Sequence, residues 1–182
     1  MGKRIMLVAG EASGDALGGP LMAALTEQSS EQPEFIGVGG SAMTAEGMAS
    51  LFPISDLSVM GLAEILPRLR LIFRRMKQTE TLARETRPDI IITIDSPGFN
   101  FRLGKRLKYL GIPLVHYVAP TVWAWKPGRA KKIAQFLDHL LVLLPFEPPY
   151  FEIEGLDCTF VGHSAVSHLP GDGPAFRDRH DI

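Results

Sequence analysis

The chain has 182 residues, 46% of them hydrophobic and 21% charged, with a formal net charge of −1. That is enough apolar chain for one domain with its own core. The charge excludes a whole-chain electrostatic case for nucleic acid, so a charged partner has to be met by a local patch. No apolar run approaches the roughly 18 residues of a spanning helix. The apolar "IMLVAG" near the start is cut short by Glu11, so no secretion signal is read there. The single cysteine, Cys158, sits in "CTFVG", which reads as a buried strand with a structural thiol. These features predict a reducing compartment, with the protein cytosolic or lying on a membrane from the cytosolic side.

Short apolar runs come in chain order at 4–10, 34–40, 89–95, 112–118, 139–145 and 158–162, with a further short strand expected near "SLFPI" at 50–54. Most lack period-two alternation, as strands covered on both faces do. Helix-length segments lie between them, at about 14–29, 42–48, 61–86, 99–110, 128–137 and 146–154. The β-α-β-α order predicts an α/β fold, a doubly wound parallel, Rossmann-like sheet with right-handed crossovers. The polar tail from 166 to 182, with its Pro and Gly residues, reads as a linker following a domain of residues 1–165.

Parallel strands put all their C-terminal ends on one rim, where ligands of open α/β sheets bind at the reversal of strand order. In the order 3-2-1-4-5-6, with 50–54 counted third, the first and fourth strands are neighbours at that reversal. Glu11, after the first strand, would then face Asp95, at the tip of "IIITIDSPGFN" (90–100).

Each rim motif has a bland reading beside the chemical one. "VAGEASGDALGG" (8–19) is a glycine-bearing strand-to-helix turn without the spacing of a dinucleotide or P-loop fingerprint. Ser13 or Asp15 could simply cap its helix, while Glu11 suits a hydroxyl-bearing substrate better than a phosphate. Asp95 could cap the helix near Phe99, or act as a general base at the mouth of the crevice. Asn100 would then orient it or a sugar hydroxyl. In "HYVAPTVWAWKPGR" (116–129), Trp123 and Trp125 fit a rigid wall for a sugar ring or acyl chain better than core packing does. Arg129, with Lys126, Lys131 and Lys132, reads as a solvated helix face or a phosphate clamp. His116 and His163 lack ligand spacing, so no metal site is expected.

The strongest physical signal lies in "VMGLAEILPRLRLIFRRMK" (59–77). At 100° per residue Leu62, Ile65, Leu66, Leu69, Ile72, Phe73 and Met76 share one face. Arg68, Arg70, Arg74, Arg75 and Lys77 flank it with no acid between Glu64 and Glu80. An apolar face beside arginines is the design of a helix lying on anionic lipid, with Leu71 on the side that docks to the domain. Pro67 should bend or interrupt this helix.

Six segments, "LVAGEASGD", "SVMGLAEILPRL", "IDSPGFN", "HYVAPTVWAW", "LLPFE" and "FVGH", occur in this order over about residues 4–163. Together they resemble the lipid-A-disaccharide synthase family of GT-B glycosyltransferases. The resemblance implies transfer of 2,3-diacylglucosamine from UDP-2,3-diacylglucosamine to 2,3-diacylglucosamine 1-phosphate, without metal or other cofactor, at the cytosolic face of the bacterial inner membrane. It implies Asp95 as the base on the acceptor hydroxyl and Glu11 as the second active-site carboxylate. Ser13, Gly14, Asn100, Tyr117, Trp123, Trp125 and Arg129 are the candidate substrate contacts, and a homodimer is left open. The sequence departs from the family's usual IDxPDFN at Gly98, from YVSPSVWAW at Ala119 and Thr121, and from FVGHP at Ser164. A GT-B enzyme also has a second, nucleotide-sugar-binding domain, absent from these 182 residues, so the chain alone is expected to be inactive. The rival readings are another GT-B enzyme, such as a UDP-N-acetylglucosamine epimerase or cell-wall transferase, and a non-catalytic lipid- or nucleotide-binding module.

Overall fold

The apolar runs become the strands of one parallel sheet. The computed structural model describes residues 2–57, 62–163, 166 and 173–180, and side chains except those of 62–67. The strands are β1 (Arg4–Ala9), β2 (Glu34–Val38), β3 (Ile90–Ile94), β4 (Leu114–Tyr117), β5 (His139–Val142) and β6 (Cys158–Phe160), in spatial order β2-β1-β3-β4-β5-β6. Every pairing is parallel. The expected strand at 50–54 is reduced to one parallel bridge, Ser50 with Gly37, on the outer side of β2. Leu51 N–H donates to Gly37 O, but Pro53 offers no N–H and Ile54–Asp56 coil into a 3-10 turn, so the ladder stops there. Counting that bridge third, the order is 3-2-1-4-5-6-7, the expected arrangement with one strand more, and the reversal lies between β1 and β3.

The helices are α1 (Ala12–Gln28), α2 (Ser41–Ala45), α3 (Leu62–Thr86), α4 (Pro97–Leu107), α5 (Arg129–Ala134), α6 (Pro149–Glu152) and α7 (Gly173–His180). Alternate residues of β1 and β3 enter opposite cores, as the pleat requires. Ile5, Leu7, Ala9, Ile92 and Ile94 pack with Met22 and Met43 of the α1/α2 layer. Met6, Val8 and Ile91 pack with Met76, Leu103 and Phe136 on the other face. Thr93 and His116 are the polar exceptions in the central strands. Thr93 Oγ1 lies 2.7 Å from His116 Nδ1, and burial pushes the imidazole down to about 3, so it is neutral.

The structure corrects the reading of α3. Met76 is buried and Ile72 packs against the core, so this part of the apolar face docks to the domain. Leu71, the expected docking residue, is only partly buried and joins no core cluster. Arg75, taken for a lipid-facing cation without acidic partners, pairs with Asp56 at 2.5 Å and lies over the Phe52 ring. Its partner comes from the preceding 3-10 turn rather than from its own helix. Burial of an aliphatic side chain is worth about 1.5–3 kcal/mol, against about 0–1 for such an ion pair. Packing at Ile72 and Met76 therefore decides which side docks. Phe73, Arg68 and Arg74 remain exposed and Leu69 half-buried, while the side chains of Leu62, Ile65 and Leu66 lie outside the described residues. Pro67 does not interrupt the helix. It removes one bond near the first turns, and the buried residues further along carry the rest.

The tail also differs from expectation, since α7 falls where a linker was read. Pro174 presets the backbone of its first turn. None of its residues is buried. Ser164 lies outside the described residues.

Asp15 does not cap its own helix. Its carboxylate, 6% exposed, accepts from the backbone N–H groups of Gly40 (2.7 Å), Ala42 (2.9 Å) and Met43 (3.0 Å) at the start of α2. It thereby ties the β1–α1 turn to the β2–α2 loop. Asp15→Ala strands these donors and should lower unfolding free energy by about 2–4 kcal/mol, with Asp15→Asn recovering part. Urea unfolding of the three chains measures it, and equal midpoints would refute the assignment.

Candidate active site at the reversal of strand order

β1 and β3 end level, with Ala9 paired to Ile94. The next residues of each chain segment therefore meet on the rim. A Cβ on Gly10 would collide with the Ser96 side chain, so only glycine lets the two turns touch. Ser13, one residue into the first turn of α1, donates to Asp95 Oδ2 at 2.9 Å. Asp95 Oδ1 has no hydrogen-bond partner among the described residues and is the oxygen left to accept a proton.

The turn carrying Asp95 is strained. Asp95 (φ 51°) and Ser96 (φ 45°) are both left-handed, which costs a non-glycine residue about 1–2 kcal/mol each. Several bonds hold it. Asp95 N–H donates to Tyr117 O (2.9 Å), and the N–H groups of Phe99 and Asn100 donate to Ser96 O. The buried Asn100 amide donates to the carbonyls of Ile94 (3.0 Å), Asp95 (2.8 Å) and Val8 (3.3 Å). Asn100 thus orients Asp95 through the main chain. At 1% exposure its side chain does not line the rim as a substrate contact. Gly14 is likewise buried, its Cβ position 3.0 Å from Ile94 O, so it seats α1 on β3.

Glu11 is exposed on the same rim. Desolvation first, and the negative charge of Asp95 second, hold its carboxyl above the ordinary 4.5. Tyr117 is half-buried at the end of β4, and desolvation raises its phenol, which stays neutral.

The tryptophans of the β4–α5 segment are both exposed, and they are held differently. Trp123 donates from Nε1 to Glu147 Oε1 at 3.4 Å and meets Phe146 edge to face. Glu147 is 3% exposed and also accepts from Leu144 N–H. Sequence reasoning missed this buried carboxylate, whose only signal was an acid directly after the β5 run in "LLPFE". Trp125 lies against Lys126, whose ammonium is 4.0 Å from its ring centroid. Arg129 sits half-buried over Phe101, 5.9 Å from the ring. Among the described residues no hydrogen bond or ion pair joins Trp123, Trp125 or Arg129 to Asp95 or Glu11. Cys158, with its thiol pushed up to about 12 chiefly by burial, is chemically quiet.

An open parallel sheet with helices on both faces is the fold of the N-terminal half of a GT-B protein. Solved structures agree on the fold. The S. aureus MnaA–UDP co-structure matches 98% of this chain and 51% of that one, at TM-score 0.68 and 16% identity. A Listeria monocytogenes structure described as a UDP-N-acetylglucosamine 2-epimerase matches the same shares at 0.69 and 16%. The particular family comes from the sequence: the model of the lipid-A-disaccharide synthetase family matches residues 5–179, and the chain belongs to that family. The lipid-A-disaccharide synthase of Rhodospirillum centenum is 58% identical over 182 residues, covering 98% of this chain and 45% of that protein. That of Paramagnetospirillum magneticum is 56% identical, covering 97% and 46%. The chain thus spans less than half the length of these curated relatives.

The charge pair at the rim has a measurable signature. A raised folded-state carboxyl means that ionised Glu11 weakens the fold; the deficit is absent below 4.5 and grows as pH rises through the raised value. Glu11→Gln should therefore melt slightly higher than the parent at neutral pH, by no more than about 1–2 °C given its exposure. The two chains should melt together below 4.5. A variant that melts lower at neutral pH would contradict the repulsion.

Proposed function

We propose that the chain is the acceptor-binding half of a lipid-A-disaccharide synthase. In the full reaction, 2,3-diacylglucosamine passes from UDP-2,3-diacylglucosamine to the 6-hydroxyl of 2,3-diacylglucosamine 1-phosphate, releasing UDP. The observation that carries this reading is Asp95, held at the reversal with one oxygen bonded to Ser13 and the other open. Asp95 accepts the hydroxyl proton as the acceptor oxygen attacks the anomeric carbon, and UDP departs from the opposite face with inversion. Ser13 fixes the carboxylate, Asn100 fixes the turn beneath it, and Glu11 offers a second acceptor for sugar hydroxyls. Trp123 and Trp125 supply an apolar wall. The donor sugar would bind mainly to a second domain supplied by the remaining length seen in the relatives.

The test is a chain completed with the C-terminal half of the Rhodospirillum centenum relative. It should form disaccharide, and Asp95→Asn should lower its kcat about 10²–10⁴-fold. The 182-residue chain alone should show no turnover. Full activity in the Asp95 variant would remove the base from this position.

The same reading puts the enzyme at the inner face of the bacterial inner membrane, as a peripheral protein on anionic lipid. Among the described residues no helix is long and apolar enough to cross a membrane. Support comes from Phe73, 53% exposed on α3 with Leu69 one turn before it and Arg74 beside it. Replacing Leu69 and Phe73 by serine should reduce co-sedimentation with anionic liposomes several-fold while the melting temperature holds. Unchanged sedimentation would sink the membrane contact.

A further inference from the structure

Glu147 is a buried carboxylate that the proposed chemistry does not use. It follows β5, is 3% exposed, and makes no ion pair among the described residues. Two donors converge on it instead. Leu144 N–H donates to Oε2 at 3.0 Å, and Trp123 Nε1 donates to Oε1 at 3.4 Å. The residue type has a chemical reason. Each donor needs its own acceptor, and a carboxylate offers two oxygens. A glutamine offers one and turns its NH2 on the other donor. Trp123 is 42% exposed and meets Phe146, 47% exposed, at 5.3 Å and 81°. Two exposed rings at right angles, one of them held at its N–H by a buried acid, make a fixed, open aromatic corner.

We propose that Glu147 is a positioning residue, holding Trp123 beside Phe146 as a platform on which the pyranose ring of the amino-sugar phosphate acceptor stacks. The proposal rests on the acceptor-binding function above. Asp95, Trp123 and Glu147 follow three neighbouring strands, β3, β4 and β5, on one rim. Adjacent strands lie about 4.8 Å apart, so the ends of β3 and β5 are about 10 Å apart, the scale of one sugar phosphate. The base and the platform also share a strand end. Tyr117, whose carbonyl accepts from Asp95 N–H, closes β4, and the Trp123 loop departs from there. A pyranose has an apolar C–H face and a hydroxylated edge, which suits an aromatic surface beside polar groups better than a closed apolar pocket.

An acid kept only for stability acts alike whatever stands at position 123, and this separates the two roles. The test uses Glu147→Gln, Trp123→Phe and the double variant of the 182-residue chain. The probe is glucosamine 1-phosphate, which has the sugar and phosphate of the acceptor without its acyl chains, titrated by NMR. The two tryptophans give two indole N–H signals. The one that vanishes in Trp123→Phe should exchange with water more slowly than the other in the parent, and Glu147→Gln should erase that difference. Glu147→Gln should weaken sugar binding about two- to tenfold, the worth of one hydrogen bond. It should add nothing to the loss caused by Trp123→Phe, which has no indole N–H to hold. An equal loss from Glu147→Gln in both backgrounds overturns the positioning role and leaves acceptor binding standing. A lowered melting temperature with sugar affinity unchanged overturns it in favour of a purely structural acid. Failure of the parent to bind the sugar overturns it together with the acceptor-binding function.

Discussion

Much of this site depends on one amide. A buried carbonyl left without a partner is costly, and several carbonyls crowd together where the two strands end side by side. Asn100 Nδ2 answers three of them, on Val8, Ile94 and Asp95. Because Asn100 lies on α4, the bonds also fix the helix against the strand ends. The chain must then turn from β3 into α4 within two residues, and it does so by placing Asp95 and Ser96 in the left-handed region. A strained, clamped turn of this kind holds its side chains with little freedom to reorganise, which a base acting at a fixed distance requires.

The close fit of the two turns has an electrostatic consequence. Gly10 allows Ser96 to lie against β1's exit, which brings the β1–α1 turn, with Glu11 and Ser13, up to Asp95. The hydroxyl of Ser13 donates to Asp95, whereas Glu11, already partly desolvated, feels the Asp95 charge as repulsion. Glu11 is therefore more readily protonated than an ordinary carboxyl.

How much of this the sequence could show depends on the range of each interaction. Strand order was legible because unbroken apolar runs separated by helices leave few topologies, and the single bridge at Ser50 was enough to restore the expected order. Asp95 at the rim followed from that order and the Pro-Gly turn after it. The partners of charged groups were not legible. Asp15 reaches backbone N–H groups 25–28 residues away, and backbone donors carry no sequence signature. Glu147 under Trp123 and Asp56 beside Arg75 are pairings between loops and elements, which no periodicity encodes. Periodicity also defines a helix face without saying what covers it, which is why Ile72 and Met76 were assigned to lipid rather than to the core. In α7, Pro and Gly content suggested a linker, although Pro174 stands where a helix tolerates it.

The proposed chemistry also explains why this rim is half of a site. Accepting a proton at Asp95 makes the nucleophile, but the departing UDP carries growing negative charge that needs cations or aligned N–H donors. Glu11 and Asp95 have no ion-pair partner among the described residues, and their own charge would oppose that anion if it lay close by. Arg102 and Arg129 are each set on a different element, one lining a groove between α3 and α4 and the other over Phe101. In an in-line displacement the leaving group lies on the far side of the anomeric carbon from the base. In the proposed reaction the groups that receive it therefore belong opposite this rim, in the further length that the relatives have. The two sides accordingly have different roles. In the proposed reaction this one would hold the acceptor and remove a proton, and its acidity suits that role only while the phosphates leave the other way.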